Sequence, residues 1–338
     1  MSTSSTTSSM QALVLHAFDT PLSLDTVARP VPAAGQVLVR IIASGVNPLD
    51  IKIRQGKAAH AQFALSGILG IDLAGYVEAL GAGVSKFNIG DAVYGMTGGI
   101  GNTPGSLAEY AAVDADLLAL KPTSMSMREA AALPLVFITA WEGLVDRART
   151  QSGQNVLVHG GAGGVGHIAV QIARALGAEV FATGSPTQKQ TIDNFGATAI
   201  DYTSTSVEEY VAIHTGGEGF DVIYDTVGGA TLDASFSAAR HYHGHVVSCL
   251  GWGAHKLAPL SFRAATYSGV FTLLPLLTGK GRAHHGDILR EATRLVDAGK
   301  LTILLDSRHF TLSTISDAHD AVENGTALGK IVIDIGNE

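Results

Sequence analysis

The chain has 338 residues, 46% of them hydrophobic and 40 of them glycine, with 22 basic and 30 acidic side chains giving a formal charge of −8. That length accommodates two domains, and so many glycines suit an α/β architecture better than a helical bundle. An acidic balance with no block of like charge argues against nucleic acid or an anionic membrane as the main partner.

The opening MSTSSTTSSM lacks the cationic and apolar regions of a signal peptide, so residues 1–10 read as a disordered tail. From residue 11 to about 120, short alternating strands separated by glycine turns (QALVLHAF, GQVLVRIIASGV, AGYVEALG, GDAVYGM) predict a small antiparallel barrel. The rhythm then changes to strand, helix, strand: NVLVHG, EVFATG, TAIDY, FDVIYDTVG, GHVVSCLG and TYSGVFT are separated by helical segments. Parallel strands need such crossovers, which predicts a doubly wound sheet of about six strands. After the helix GDILREATRLVDAG, the mixed character of the first section returns. The chain therefore reads as a dinucleotide domain, 127–272, inserted into a catalytic domain made of 11–126 and 273–338. The single cysteine, Cys249, cannot form an internal disulfide, and the longest apolar runs, such as VFTLLPLL, fall short of the roughly 20 residues that span a bilayer. A soluble, cytoplasmic protein is expected.

The most informative stretch is VLVHGGAGGVGHIAVQIARALGAEVFATGS, residues 156–185. Gly161, Gly163 and Gly166 satisfy G-x-G-x-x-G, with a predicted strand before and a predicted helix after, which is the context that motif requires. Such a turn lets a pyrophosphate approach backbone N–H groups at the helix start. In NAD-binding chains an acidic side chain about 20 residues further on holds the ribose 2′-OH. Here that place carries Thr183, Gly184 and Ser185; Glu179 lies at the wrong end of the strand and Asp193 too far along the next helix. Ser185 can donate to a 2′-phosphate and Lys189 can supply charge, so NADPH is the expected cofactor. A plain alternative for Lys189 is a solvated helix residue.

Several segments in order resemble the medium-chain dehydrogenase/reductase superfamily, in its zinc-free, zeta-crystallin-like quinone oxidoreductase branch. They are GVNPLDIKIRQG (45–56), LGIDLAGYVEALGAGVSKFNIGDAVYG (69–95), GSLAEYAAVDADLLALKP (105–122), AAALPLVFITAWEGL (130–144), the glycine turn, DVIYDTVGG, GHVVSCLG and GKIVIDI. The resemblance implies a GroES-like β-barrel catalytic domain, a Rossmann domain and an NADPH held between them. Position by position it implies Ala162, Gly163, Gly164 and Val165 at the pyrophosphate, and Ser185, Lys189 and Tyr202 at the adenosine phosphate. It places Val227, Leu250, Gly251 and Trp252 along the middle of the cofactor, and Thr139, Val270 and Phe271 at the nicotinamide. For Tyr202, a half-exposed aromatic at a strand end is the plain alternative. The resemblance also implies a homodimer, often formed through an edge strand corresponding to YSGVFT.

Zinc alcohol dehydrogenases of the same superfamily hold their catalytic metal with cysteine and histidine. In this chain GVNPLD has no cysteine, and LGID has Ile71 where those enzymes carry histidine. The triplet His241, His243, His245 and the pair His284, His285 match no usual ligand spacing, and His243-Gly244 reads as a turn, so no metal is expected. Asp72 and Asp91 read as loop-fixing carboxylates.

These features favour an NADPH-dependent reductase of quinones or of the activated C=C bonds of enones. Hydride comes from the nicotinamide, so the protein need only orient the acceptor and exclude water. By resemblance, the best-placed polar candidates are Asn47, a donor to the acceptor oxygen, and Asp50; the alternative is a turn at Asn47-Pro48 capped by Asp50. Met96, Trp252 and Phe271 are expected pocket contributors for a flat conjugated acceptor, each with core packing as its alternative. Cys249, in a buried strand, is not an activated nucleophile. Two other readings are a crystallin-like or RNA-binding protein that retains NADPH, disfavoured by the acidic charge, and a zinc-dependent alcohol dehydrogenase, disfavoured by the missing ligands.

Overall fold

A computed structural model describes residues 8–337, which form two compact units: 8–135, 273–299 and 303–337 make the first, and 136–272 with 300–302 the second. Seven of the ten residues expected as a disordered tail lie outside the described residues, while Ser9 and Met10 open the first strand.

The first unit is built on antiparallel strands, numbered β1 (Ser9–Leu15), β2 (Ser23–Ala28), β3 (Gln36–Gly45), β4 (Gly67–Ile68), β5 (Asp72–Leu80), β6 (Ala92–Met96), β7 (Tyr110–Asp114) and β8 (Leu118–Leu120). β3 pairs with both β5 and β7, so its Val37, Leu38, Val39, Ile41 and Ile42 are buried on both faces rather than alternating. Two register shifts along β3 and β5 bend the sheet. Gly75 sits where a Cβ would lie 2.1 Å from the Arg40 carbonyl oxygen, so the strands close up only because no side chain is there. Helix α1 (Pro48–Arg54) follows β3, started by Pro48 in the first turn, where a missing N–H costs nothing. Helix α2 (Met127–Ala132) begins at Ser126, whose reciprocal bonding with Glu129 forms a capping box. Its Ala130, Ala131 and Ala132 are fully buried, and the helix packs on β3 and β5. This packing assigns 127–135 to the first unit, so the division falls at 135/136 instead of the expected 126/127.

The second unit carries helix α3 (Pro134–Trp141) for most of its length, followed by a π-helical segment, Glu142–Arg147. Six parallel strands follow: β9 (Asn155–His159), β10 (Glu179–Gly184), β11 (Thr198–Asp201), β12 (Val222–Asp225), β13 (His245–Ser248) and β14 (Thr266–Gly269). Their order in the sheet is β11-β10-β9-β12-β13-β14, the doubly wound arrangement expected from the strand–helix rhythm. Val156, Leu157 and Val158 of β9 are wholly buried because the strand lies between β10 and β12 and helices cover the sheet. Helix α4 (Gly164–Ala175) makes the crossover from β9 to β10, with Ile168, Ala169 and Ile172 turned inward. β14 is an edge strand that ends at Gly269, leaving Val270 and Phe271 beyond it. Residues 300–302 join this unit through Gln171, whose side chain bonds both the N–H and the C=O of Thr302 (2.8 and 2.9 Å). The chain then returns to the first unit, where β15 (Phe310–Thr311) and β16 (Val332–Asp334) complete the seven-stranded sheet by pairing of β16 with β3. Among the described residues no helix is long and apolar enough to cross a membrane.

Candidate functional site

In a doubly wound sheet, ligands bind beyond the carboxyl ends of the strands where the order reverses, which here is next to β9. β9 runs straight into the glycine turn. Gly160 has φ +72°, a conformation costly for other residues. A Cβ on Gly166 would lie 2.0 Å from the Gly160 oxygen, and one on Gly161 would lie 2.5 Å from Ala182 Cβ. The turn is thus packed to backbone contact against the start of α4 and against β10. Gly163 is the N-cap of α4 and has no side chain to occupy the first-turn amides, which remain available to an anion. Gly163 and Gly164 are exposed, and Ala162 and Val165 half-buried.

Thr183 anchors the turn from the neighbouring strand: its hydroxyl accepts from the Gly160 N–H (3.1 Å) and meets His159 Nδ1 (3.1 Å), while its carbonyl accepts from Gly161 N–H. Burial holds His159 neutral, its pKa lowered to about 4. His159 does not stand out in the sequence, where it reads as strand interior, and Thr183 reads only as a residue in the place of an acid.

At the end of β10 the backbone continues through Ser185, whose hydroxyl lies 2.9 Å from that of Thr187. Lys189 is exposed and pairs with Asp193 one helical turn on. Tyr202 is exposed, and its N–H reaches the Gly184 carbonyl at 3.4 Å, so Ser185 and Tyr202 both flank the end of β10. The hydroxyls of Ser185 and Thr187 thus meet just beyond this strand end, while the Lys189 ammonium is engaged along its own helix.

Beyond β12, the fully buried Asp225 accepts from the N–H groups of Val227 and Gly228 and from Ser248 Oγ (2.7 Å), fixing the loop on which Val227 is exposed. Leu250 is half-buried, and Gly251 and Trp252 are exposed. Trp252 and Phe271 meet edge to face, with ring centroids 6.2 Å apart. Val270 is buried, and Thr139 lies buried beside Thr272, whose hydroxyl reaches Thr139 Oγ1 (3.2 Å) and Glu142 (3.0 Å). Cys249 lies just past β13 and is half-buried, not within the buried strand expected for it; burial of its thiol pushes it up to about 12, which disfavours the thiolate.

In the first unit, Asn47 and Asp50 are wholly buried. Asp50 accepts from the Asn47 backbone N–H (2.8 Å), so it does cap α1. The Asn47 side chain instead donates to Asp72 Oδ2 (2.9 Å) and accepts from Lys330 Nζ. Asp72 also accepts from the Leu135 N–H (3.0 Å), the loop-fixing part anticipated for it. Burial raises Asp50 to about 6 and Asp72 to about 7, against the pull of Lys330, and lowers Lys330 itself. Met96 is fully buried in β6 opposite Asp72. Asp91 is a loop-fixing carboxylate too, bonded to the Asn88 N–H. His241 and His243 lie in an exposed turn, and His245 pairs with Ser268 (2.8 Å).

Comparison with known proteins places the chain in a family. A family described as alcohol dehydrogenase GroES-like domain matches residues 33–123, and one described as zinc-binding dehydrogenase matches 195–333. The 2-methylene-furan-3-one reductase of Solanum lycopersicum is 35% identical over 317 residues, which is 91% of this chain and 74% of that protein. The chain belongs to the medium-chain dehydrogenase/reductase superfamily. A second relative, the chloroplastic NADPH-dependent alkenal/one oxidoreductase of Arabidopsis thaliana, is 33% identical over 88% of this chain and 72% of its own length. The crystal structure of an alcohol dehydrogenase superfamily protein from Novosphingobium aromaticivorans superposes with TM-score 0.95 at 57% identity, covering 97% of this chain and all of that one.

The two groups that this superfamily uses fare differently against the residues present. A dinucleotide fits: the turn is closed to side chains at Gly161 and Gly166, and the first turn of α4 is open to an anion. A zinc ion does not fit. Among the described residues no group of three or more His, Cys, Asp or Glu side chains is placed to hold a metal ion. Ile71 is fully buried, and Cys249 belongs to the parallel-sheet unit.

Proposed function

We propose that this medium-chain reductase transfers hydride from NADPH to the activated C=C bond of an enone, or to a quinone, without a metal. When bound, NADPH supplies the hydride. The observation that carries the cofactor choice is the end of β10, where Ser185, Thr187 and Lys189 stand in place of a carboxylate. Lys189 would exchange its exposed ion pair with Asp193 for the 2′-phosphate, and Tyr202 would flank the adenosine. The amides opening α4, with Ala162, Gly163, Gly164 and Val165, would hold the pyrophosphate. Val227, Leu250, Gly251, Thr139 and Val270 would follow the cofactor towards the nicotinamide.

The names of the tomato and Arabidopsis relatives support an enone as acceptor. Trp252 and Phe271, both exposed and meeting edge to face, form an aromatic pair suited to a flat conjugated molecule. The saturated product would carry the hydride at its β-carbon and a solvent-derived proton at its α-carbon. Asn47 and Asp50, being buried and engaged with their neighbours, act in this reading by positioning the turn before α1. Met96, expected to line the pocket, is fully buried in β6 and serves as core packing instead. A homodimer paired through the open edge of β14, in a reducing cytoplasmic setting, belongs to the same proposal.

The test mixes the purified protein with NADPH and a panel of enones, quinones and simple alcohols or ketones, following nicotinamide absorbance. NADPH oxidation with enones or quinones is expected; turnover confined to alcohols and ketones would refute the proposal.

A further inference from the structure

Four buried polar side chains lie in a row across the carboxyl end of the parallel sheet, one from each of four neighbouring strands. They are Thr183 of β10, His159 of β9, Asp225 of β12 and Ser248 of β13, none more than 4% exposed. Asp225 is the register partner of both His159 and Ser248, and Thr183 directly follows the Ala182–Val158 pair. Three members hold the backbone of a loop leaving the sheet. Thr183 Oγ1 accepts from the Gly160 N–H (3.1 Å), Asp225 from Val227 and Gly228 (3.1 and 3.0 Å), and Ser248 Oγ from Leu250 (3.0 Å). His159 is different: its ring is hydrogen-bonded to no loop, only to Thr183.

Taking the glycine turn as the pyrophosphate site, we infer that His159 is a positioning residue for NADPH: acting through Thr183, it aims the threonine hydroxyl at the Gly160 N–H and so fixes the turn against β10. The proton inventory carries this. A hydroxyl has one proton, and the Gly160 N–H already occupies a lone pair of Thr183 Oγ1, so the hydroxyl proton is free to go to His159 Nδ1, 3.1 Å away. Nδ1 must then be bare, which puts the ring proton on Nε2. Nε2 is buried and has no hydrogen-bond partner. A buried polar group left unpaired is costly, and what the ring returns is a fixed direction for one hydroxyl. Gly160 and Gly161 both donate to Thr183, one to its hydroxyl and one to its carbonyl (2.9 Å). A hydroxyl free to rotate would release the first of them and let the turn tilt.

The neighbours are consistent with a neutral ring. Asp225 is the nearest charge, but its oxygens are engaged by Val227, Gly228 and Ser248. Burial outweighs its pull on His159. The His159 carbonyl accepts from Thr226 Oγ1 (2.6 Å), which pins the end of β9 from the other side. His167, also buried, offers an internal contrast. Its Nδ1 lies 2.8 Å from the Gly163 carbonyl, which can only accept, so there the proton is on Nδ1.

The test titrates NADPH and adenosine 2′-monophosphate into wild type, His159→Phe, His159→Asn, Thr183→Val and the double variant His159→Phe/Thr183→Val, with thermal unfolding alongside. His159→Phe keeps the bulk and removes the acceptor. Its Kd for NADPH should rise about tenfold, while that for adenosine 2′-monophosphate, which has no pyrophosphate, stays within about twofold. His159→Asn returns an acceptor near the Nδ1 position and should recover most of the affinity, although its smaller side chain lowers the unfolding temperature. Thr183→Val should reproduce the tenfold loss, and adding His159→Phe should cost no more. Affinities that simply follow unfolding temperature, equal losses for both ligands, or two losses that multiply would overturn the inference. Nitrogen-15 NMR of histidine-labelled wild type should show His159 protonated at Nε2 and His167 at Nδ1; a proton on His159 Nδ1 would overturn it too. If His159→Phe does not fold, Thr183→Val and the tautomer decide, and wild-type NADPH affinity in Thr183→Val overturns it. Gly166→Ala, which crowds the turn from α4, separates the two levels. Affinity lost there but kept in His159→Phe and Thr183→Val refutes the role of His159 alone; affinity kept in all three refutes the pyrophosphate site and the inference with it.

Discussion

Replacing Gly166 by alanine is expected to damage cofactor binding well before it unfolds the protein. The new Cβ would sit 2.0 Å from the Gly160 carbonyl oxygen and 2.8 Å from its carbon, where ordinary contact begins at 3.4 Å. Both atoms are backbone, so no side chain can swing aside, and the turn must move by about 1.4 Å relative to α4. Overpacking of that kind costs about 1–3 kcal/mol, offset by about 1 kcal/mol from the better helix propensity of alanine. The sheet should survive this. A pyrophosphate depends on several amides aimed together, however, and a shift of about 1 Å in such a constellation costs on the order of 100-fold. NADPH titration by fluorescence, with thermal unfolding alongside, should give a Kd raised about 100-fold, or about 2.7 kcal/mol, with a folded protein. Wild-type affinity in Gly166→Ala would refute the assignment of this turn to the pyrophosphate.

Lys189→Ala should weaken NADPH by about 1–3 kcal/mol and leave NADH almost unchanged, because the lost partner is a phosphate; paired titrations decide it, and equal affinities of wild type for the two cofactors would count against the reading. Asn47→Ala should lower kcat/KM about tenfold, or about 1.4 kcal/mol, with NADPH affinity retained, and should also cost stability because Lys330 and Asp72 lose their bridge; kinetics and unfolding on one preparation measure both. His319 is held neutral to about pH 4, so its contribution to stability is full above the unfolded value near 6.5 and is lost as pH falls towards 4; His319→Gln should show a shallower loss over that window in pH-dependent unfolding. Cys249 should resist iodoacetamide at pH 8 in the folded protein, as followed by mass spectrometry, because its thiol is pushed up to about 12.

The parallel-sheet unit was legible because its signals are local. A buried strand, a glycine turn and an apolar helix stripe lie consecutively between 156 and 176, and the absence of an acid after β10 can be read from three residues. The first unit hid more. Lys330 reads as a polar interruption in GKIVIDI, and nothing nearby indicates that it meets Asn47 from 283 residues away. Asn47 and Asp50 carry the signature of a helix start, and Asp50 does cap α1, but a capping pattern says nothing about what the asparagine amide touches. The division at 135/136 was missed for a related reason: α2 has helical spacing like the helices after it, and only its packing on β3 and β5 assigns it to the first unit. Asp225, which holds the loop after β12, sits in a strand whose apolar pattern conceals a polar role.

The most direct test of the proposed chemistry is the fate of the hydride. The protein should be incubated with NADPH deuterated at the nicotinamide C4 and a simple enone, and the product examined by NMR. Deuterium at the β-carbon of a saturated ketone, with a solvent-derived proton at the α-carbon and no loss of activity after chelation, is the expected result. Deuterium on the carbinol carbon of an unsaturated alcohol, or activity that vanishes with the removal of a stoichiometric metal, would contradict it.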